Sequence, residues 1–119
     1  MNRIILLEDD IDIAALIEEV LRLDGHTVQT MIRLEPGDPV PGVALVISDL
    51  VDLRGYDPVA AREWVERIRR HFPDAKVLLA TAHSGAARAG ATALGVDAFM
   101  AKPFDANEFS ATVALLLTA

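Results

Sequence analysis

Five side chains suited to acid, hydroxyl or ammonium chemistry stand at the ends of four short, mainly apolar runs. Arg3 to Leu7 stops at Glu8 and Asp9. Leu45-Val46-Ile47-Ser48 stops at Asp49. Lys76 to Ala80 closes on Thr81, and Ala98 to Ala101 is followed by Lys102-Pro103. Three carboxylates brought close together raise one another's pKa values, and a divalent cation relieves that conflict. An all-oxygen donor set suits Mg2+, which keeps several waters and readily shares a phosphate oxygen. A lysine sets a point charge against phosphate oxygens, and a threonine donates one hydrogen bond to them. A carboxylate is itself a nucleophile toward phosphorus. These residue types suit phosphoryl transfer, which asks a protein chiefly for positioning and charge neutralisation.

The elements that must position these groups follow from periodicity. Arg3 to Leu7 is apolar and β-branched, the pattern of a buried parallel strand. From Asp10 the period becomes helical, with Ile13, Ile17, Val20 and Leu21 on one side and Glu18, Glu19 and Arg22 on the other. Asp10 is placed to cap this helix and Gly25 to end it. Thr27 to Met31 predicts a short second strand. Leu34 to Gly42 holds too much proline and glycine for a helix interior, so a loop is expected between strands two and three. Val43 to Ser48 predicts the third strand.

Asp57-Pro58 has the form of an N-cap followed by proline at the first helical position. The helix should run to about His71, with Ala61, Trp64, Val65 and Ile68 as its inner stripe. Lys76 to Ala80 predicts strand four, and Gly85 to Leu94 an Ala-rich helix stopped by Gly95. Ala98 to Ala101 predicts strand five. Asp105 caps a last helix, with Glu108 at the capping-box position and Phe109, Val113, Leu116 and Leu117 facing inward. Alternation of this kind predicts a parallel sheet with helices on both faces, its strand ends aligned along one ligand-binding edge.

Composition narrows the function. The 119 residues carry 11 Lys+Arg against 18 Asp+Glu, a net charge of −7, which argues against direct nucleic-acid binding. Aromatic content of 5% leaves no stacking platform for single strands. The absence of cysteine excludes disulfides, zinc-thiolate sites and cysteine nucleophiles. No apolar run is long enough to span a membrane, and Ile4 to Leu7 is too short for a signal-peptide core. A cytoplasmic domain without membrane attachment is expected.

The strings Leu-Leu-Glu-Asp-Asp, Val-Ile-Ser-Asp-Leu, Leu-Ala-Thr-Ala and Ala-Lys-Pro-Phe occur in this order, each at a predicted strand end. They resemble the signature blocks of two-component response regulator receiver domains, and the likeness spans nearly the whole chain. The resemblance implies a flavodoxin-like, doubly wound α/β fold with five parallel strands in order 2-1-3-4-5, an order carried over from the family. Here a loop stands where the family has its second helix. Residues 1–119 are then one receiver domain, with no output domain attached.

By the same resemblance Asp49 is the phosphoacceptor, and Thr81 and Lys102 bind the phosphoryl group. Mg2+ is held by Asp9 and Asp49, with Glu8 acting through water and the backbone carbonyl of Val51 as a further ligand. Thr81 and Phe99 form the switch. A histidine kinase or histidine phosphotransfer protein is the implied donor, an unknown downstream protein the reader, and a monomer or weak homodimer the oligomeric state. Such a domain catalyses only its own phosphorylation and dephosphorylation. The turn after the acceptor departs from the family: Leu53-Arg54-Gly55-Tyr56-Asp57-Pro58 lacks the usual proline and is one residue longer.

Other readings compete at each position. Taken alone, Glu8 and Asp9 could simply cap the first helix, Asp49 be a solvated turn residue and Lys102 an ordinary surface lysine; the four blocks together favour the site reading. Thr81 would also suit an N-cap, His83 a solvated loop, and Phe99 and Trp64 simple packing. A receiver-like interaction module that no longer depends on phosphorylation is the main alternative. A phosphohydrolase with an aspartate nucleophile wants a second acid two residues on, where Val51 stands.

Overall fold

The computed structural model describes residues 2–49, 57–82 and 90–118. Its element order is β1 (Arg3–Leu7), α1 (Ile11–Leu23), β2 (Thr27–Met31), β3 (Leu45–Ser48), α2 (Pro58–His71), β4 (Lys76–Thr81), α3, β5 (Ala98–Ala101) and α4 (Ala106–Thr118). Among the described residues α3 is the helical segment 90–94. All strand pairs are parallel, in the order β2-β1-β3-β4-β5. That is the order the resemblance implied.

β1, β3 and β4 are nearly continuous apolar runs because both sheet faces are covered there. Ile4, Leu6, Leu45, Ile47 and Leu78 pack with Ala14, Ile17 and Leu21 of α1 and Phe109 and Val113 of α4. Ile5, Leu7, Val46, Val77 and Leu79 pack on the other face with Ala61, Trp64, Val65 and Ile68 of α2 and Leu94 of α3. The inner stripes expected for α2 and α4 are the ones buried, with Leu116 and Leu117 partly so.

The caps also agree with the sequence. Asp10 Oδ1 accepts from the backbone N–H groups of Asp12 and Ile13 at 3.0 and 3.1 Å. Asp57 Oδ1 accepts from those of Val59 and Ala60, with Pro58 beginning the helix. Asp105 Oδ1 accepts from Asn107 and Glu108. Gly25 follows α1 at φ +88°, a left-handed conformation that a side chain disfavours.

The segment from Leu34 to Gly42 forms no helix or strand. It is nonetheless built into the fold. Leu34 and Val43 are buried with the α2-side core, and Val40 packs against it. The Val40 N–H donates to the His71 carbonyl at 2.7 Å, and the Gly42 N–H to Asp74 Oδ2 at 3.0 Å. These apolar anchors and two hydrogen bonds do what a helix would otherwise do for the crossover. The strip of sheet that such a helix would cover is correspondingly polar. Thr27 and Gln29 pair in register with Arg3 and Ile5, and both are exposed.

The predicted segment 85–89 and the altered turn from Leu53 to Tyr56 lie outside the described residues, as do Val51 and His83. No helix among the described residues is long and apolar enough to cross a membrane.

Candidate functional site

The sheet order brings the carboxyl ends of β1, β3, β4 and β5 to one edge, and the sequence places polar groups there. Glu8 directly follows β1 and is 4% exposed. Its backbone N–H donates to the Met31 carbonyl, which extends the ladder beyond the strand and carries the side chain inward. Asp49 follows β3, with its N–H bound to the Leu7 carbonyl at 3.0 Å. Thr81 ends β4 and is fully buried. Its carbonyl accepts the N–H of Lys102, just past β5. The Lys102–Pro103 peptide is cis.

Lys102 reaches across β4. Its Nζ donates to Asp49 Oδ2 at 3.0 Å and to Glu8 Oε1. One ammonium thus lies against two carboxylates that belong to two different strands. Burial pushes the Glu8 carboxyl above its usual range, and the bonds from Lys102 and from the Asp10 N–H only partly offset this. Burial alone would lower the Lys102 ammonium, but its hydrogen bonds to Glu8 and Asp49 and their charges hold it above its ordinary value. Lysine is therefore a fixed cation here, and Glu8 a carboxyl with an enhanced hold on its proton.

The structure thus joins Glu8, Asp49 and Lys102 directly. Asp9 sits exposed in the turn between β1 and α1. Phe99 lies opposite Leu79 on β5, half-buried and packed against the α2-side core. Among the described residues no group of three His, Asp or Glu side chains stands close enough to share a metal ion. Both Glu8 oxygens are already engaged, Oε1 by Lys102 and Oε2 by the Asp10 N–H at 3.3 Å. The donor chemistry still suits a hard cation, through Asp9 and Asp49 with Glu8 reached through water.

Two residues of this neighbourhood have roles that the sequence did not disclose. Ser48, the last residue of β3, is fully buried next to Asp49. Its Oγ accepts from Trp64 Nε1 at 2.9 Å and donates to the Asp49 carbonyl. The available signal was a serine inside an apolar strand and a tryptophan on an inner helical stripe, since a buried indole N–H usually finds an acceptor.

Comparison with known proteins bears on the fold and the family. No family model matches the sequence. The non-phosphorylated receiver domain of HemR from Leptospira biflexa superposes with a TM-score of 0.74 at 27% identity, covering all of this chain and 96% of the other. The response regulator TrrA from Thermotoga maritima, solved with Mg2+ and BeF, gives 0.70 at 29% identity, covering 98% and 100%. The transcriptional regulatory protein SpaR of Bacillus subtilis is 30% identical over 118 residues, 95% of this chain and 50% of that protein. This chain is a response regulator receiver domain. The receiver domain spans half the length of SpaR, and 22% of the response regulator FleR from Pseudomonas aeruginosa, which is 32% identical over 109 residues.

Proposed function

We propose that this receiver domain is a phosphorelay switch in which Asp49 takes a phosphoryl group from the phosphohistidine of a histidine kinase or a phosphotransfer protein. The observation that carries the reading is the bond from Lys102 Nζ to Asp49 Oδ2, made across β4 at 3.0 Å. It sets a permanent cation beside a strand-end carboxylate, at the edge where sheets of this type bind ligands. An Asp49 carboxylate oxygen attacks phosphorus, the new O–P bond forms as the donor's N–P bond breaks, and the imidazole leaves with a proton from solvent. Lys102 then neutralises phosphoryl oxygens, and the Thr81 hydroxyl donates to one of them.

Asp9 and Asp49, with Glu8 through water, would hold Mg2+; the proposed Val51 ligand lies outside the described residues. When bound, the ion supplies charge neutralisation for the transferring group. The support for Mg2+ is the carboxylate set itself and the Mg2+ in the TrrA structure. Added charge at Asp49 draws Thr81 toward the phosphoryl group, which lets Phe99 turn inward and changes the surface offered to a downstream protein. In this reading the domain is a cytoplasmic signalling module rather than a metabolic enzyme. It acts as a monomer or weak homodimer and binds neither nucleic acid nor membrane itself.

Intact-mass measurement after incubation with Mg2+ and acetyl phosphate tests this. Wild type should gain one phosphoryl group, and Asp49→Asn or chelation by EDTA should abolish the gain. If wild type gains nothing under conditions that label a control receiver, the reading fails. Label that persists in Asp49→Asn moves the acceptor elsewhere.

A further inference from the structure

Asp49 is tethered at three points. Its N–H is bound to the Leu7 carbonyl of β1, its Oδ2 to Lys102, and its carbonyl to the Ser48 hydroxyl. The third tether sits beneath the site, inside the α2-side core. A serine hydroxyl has one proton and rotates freely unless its oxygen is also engaged. Here Trp64 Nε1 donates to that oxygen at 2.9 Å, so the hydroxyl proton is directed to the Asp49 carbonyl. Ser48 and Trp64 are both almost fully excluded from water, which leaves no competing solvent partner.

We propose that Ser48 is a positioning residue for phosphoryl transfer at Asp49, with Trp64 setting the direction of its hydroxyl. The proposal rests on the reading of Asp49 as acceptor. The Ser48 bond fixes the peptide plane that leaves Asp49, and the Leu7 bond fixes the one that enters it. Between them they set where the Cα–Cβ bond points, and so where the carboxylate meets Lys102 and an incoming phosphorus. Helix α2 thereby contributes to the geometry of the acceptor through one indole N–H, although none of its residues belongs to the signature blocks. Arg67 lies over the Trp64 ring, 5.2 Å from its centroid, and packs it from the outer side.

A purely structural role would satisfy the indole N–H and change stability alone. The discriminating readout is therefore the initial rate of phosphoryl uptake from acetyl phosphate at saturating Mg2+, by intact mass, beside a thermal melt of each variant. Loss of orientation at a reacting group slows transfer steeply, so Ser48→Ala should reduce the rate about tenfold. Trp64→Phe, which keeps the ring but not the N–H, should reduce it in the same direction by a smaller factor. Ser48→Thr, which keeps the hydroxyl on a strand-compatible side chain, should restore it to within about twofold. Wild-type rates in folded Ser48→Ala or Trp64→Phe, or a Ser48→Thr as slow as Ser48→Ala, would overturn the proposal while leaving the acceptor intact. A wild type that takes up no phosphoryl group overturns the acceptor reading and this one with it. Should Ser48→Ala fail to fold, Trp64→Phe and Ser48→Thr decide the matter by the same rates.

Discussion

Replacing Lys102 with methionine keeps an unbranched side chain and removes its charge, leaving Glu8 and Asp49 without their shared cation. The side chains of Lys102, Glu8 and Asp49 are 11%, 3% and 20% exposed, so little solvent can replace the lost partner. Removing one member of a buried pair costs about 3–5 kcal/mol, because the remaining charge is left uncompensated. Two charge-assisted bonds at roughly 1.5–3 kcal/mol each give about 3–6 kcal/mol, an overlapping range. The partial exposure of Asp49 favours its lower end. In a domain of this size about 1 kcal/mol corresponds to roughly 4 °C, so the melting temperature should fall by about 12–16 °C near neutral pH.

The pH dependence carries a sign. The Glu8 carboxyl already sits above its ordinary 4.5, chiefly through burial, so the folded state holds its proton more tightly than the unfolded state does. Its contribution to stability is greatest below 4.5 and declines as pH rises through the raised folded value. Lys102 behaves differently in wild type: its contribution is complete below 10.5 and is lost only as pH rises through its own raised value. Without Lys102, Glu8 is raised further, and the variant should regain stability as the pH falls from about 8 to about 5. Thermal unfolding followed by circular dichroism at both pH values measures this. A variant that melts within about 3 °C of wild type at the higher pH, or a gap that does not narrow on acidification, would refute the reasoning.

Other outcomes follow from the packing and the caps. Leu34→Ala should destabilise the fold by about 2–4 kcal/mol in urea, because the loop is anchored in the core by that side chain; a cost below about 0.5 kcal/mol would mean the loop is laid over the core rather than built into it. Gly25→Ala should cost about 1 kcal/mol through backbone strain alone, since φ is +88° and nothing lies within 4 Å of an added Cβ. Asp57→Ala should cost about 1 kcal/mol by leaving the first N–H groups of α2 uncapped, measured by the same denaturant titration.

Much of the fold was legible because its signals are local. Ile4 to Leu7 and Val77 to Ala80 are too apolar for anything but doubly covered strands, and Asp10, Asp57 and Asp105 each announce a helix start. The proline-rich run from Leu34 to Gly42 correctly excluded a helix. Its anchoring was not legible, because the Asp74 carboxylate and the His71 carbonyl that hold it lie some thirty residues away in sequence. The joining of Lys102 to Asp49 could be expected from strand-end position. Its second bond, to Glu8, depends on how far the side chain extends across β4. Ser48 was hidden for a related reason: β3 is buried along its whole length, and what a polar side chain within it bonds is decided by the facing helix.

The loop in place of a second helix has a consequence for how the sheet meets solvent. With β2 at an edge and part of one face unroofed, Thr27 and Gln29 stand as a narrow polar strip beside Met31 and the apolar β1. Unpaired strand edges invite addition of another strand, and brevity and polarity are among the usual defences. β2 has five residues and relies on both. A single exchange such as Gln29→Val would lengthen the apolar margin that Met31 begins on this edge, at a place remote from any phosphate chemistry.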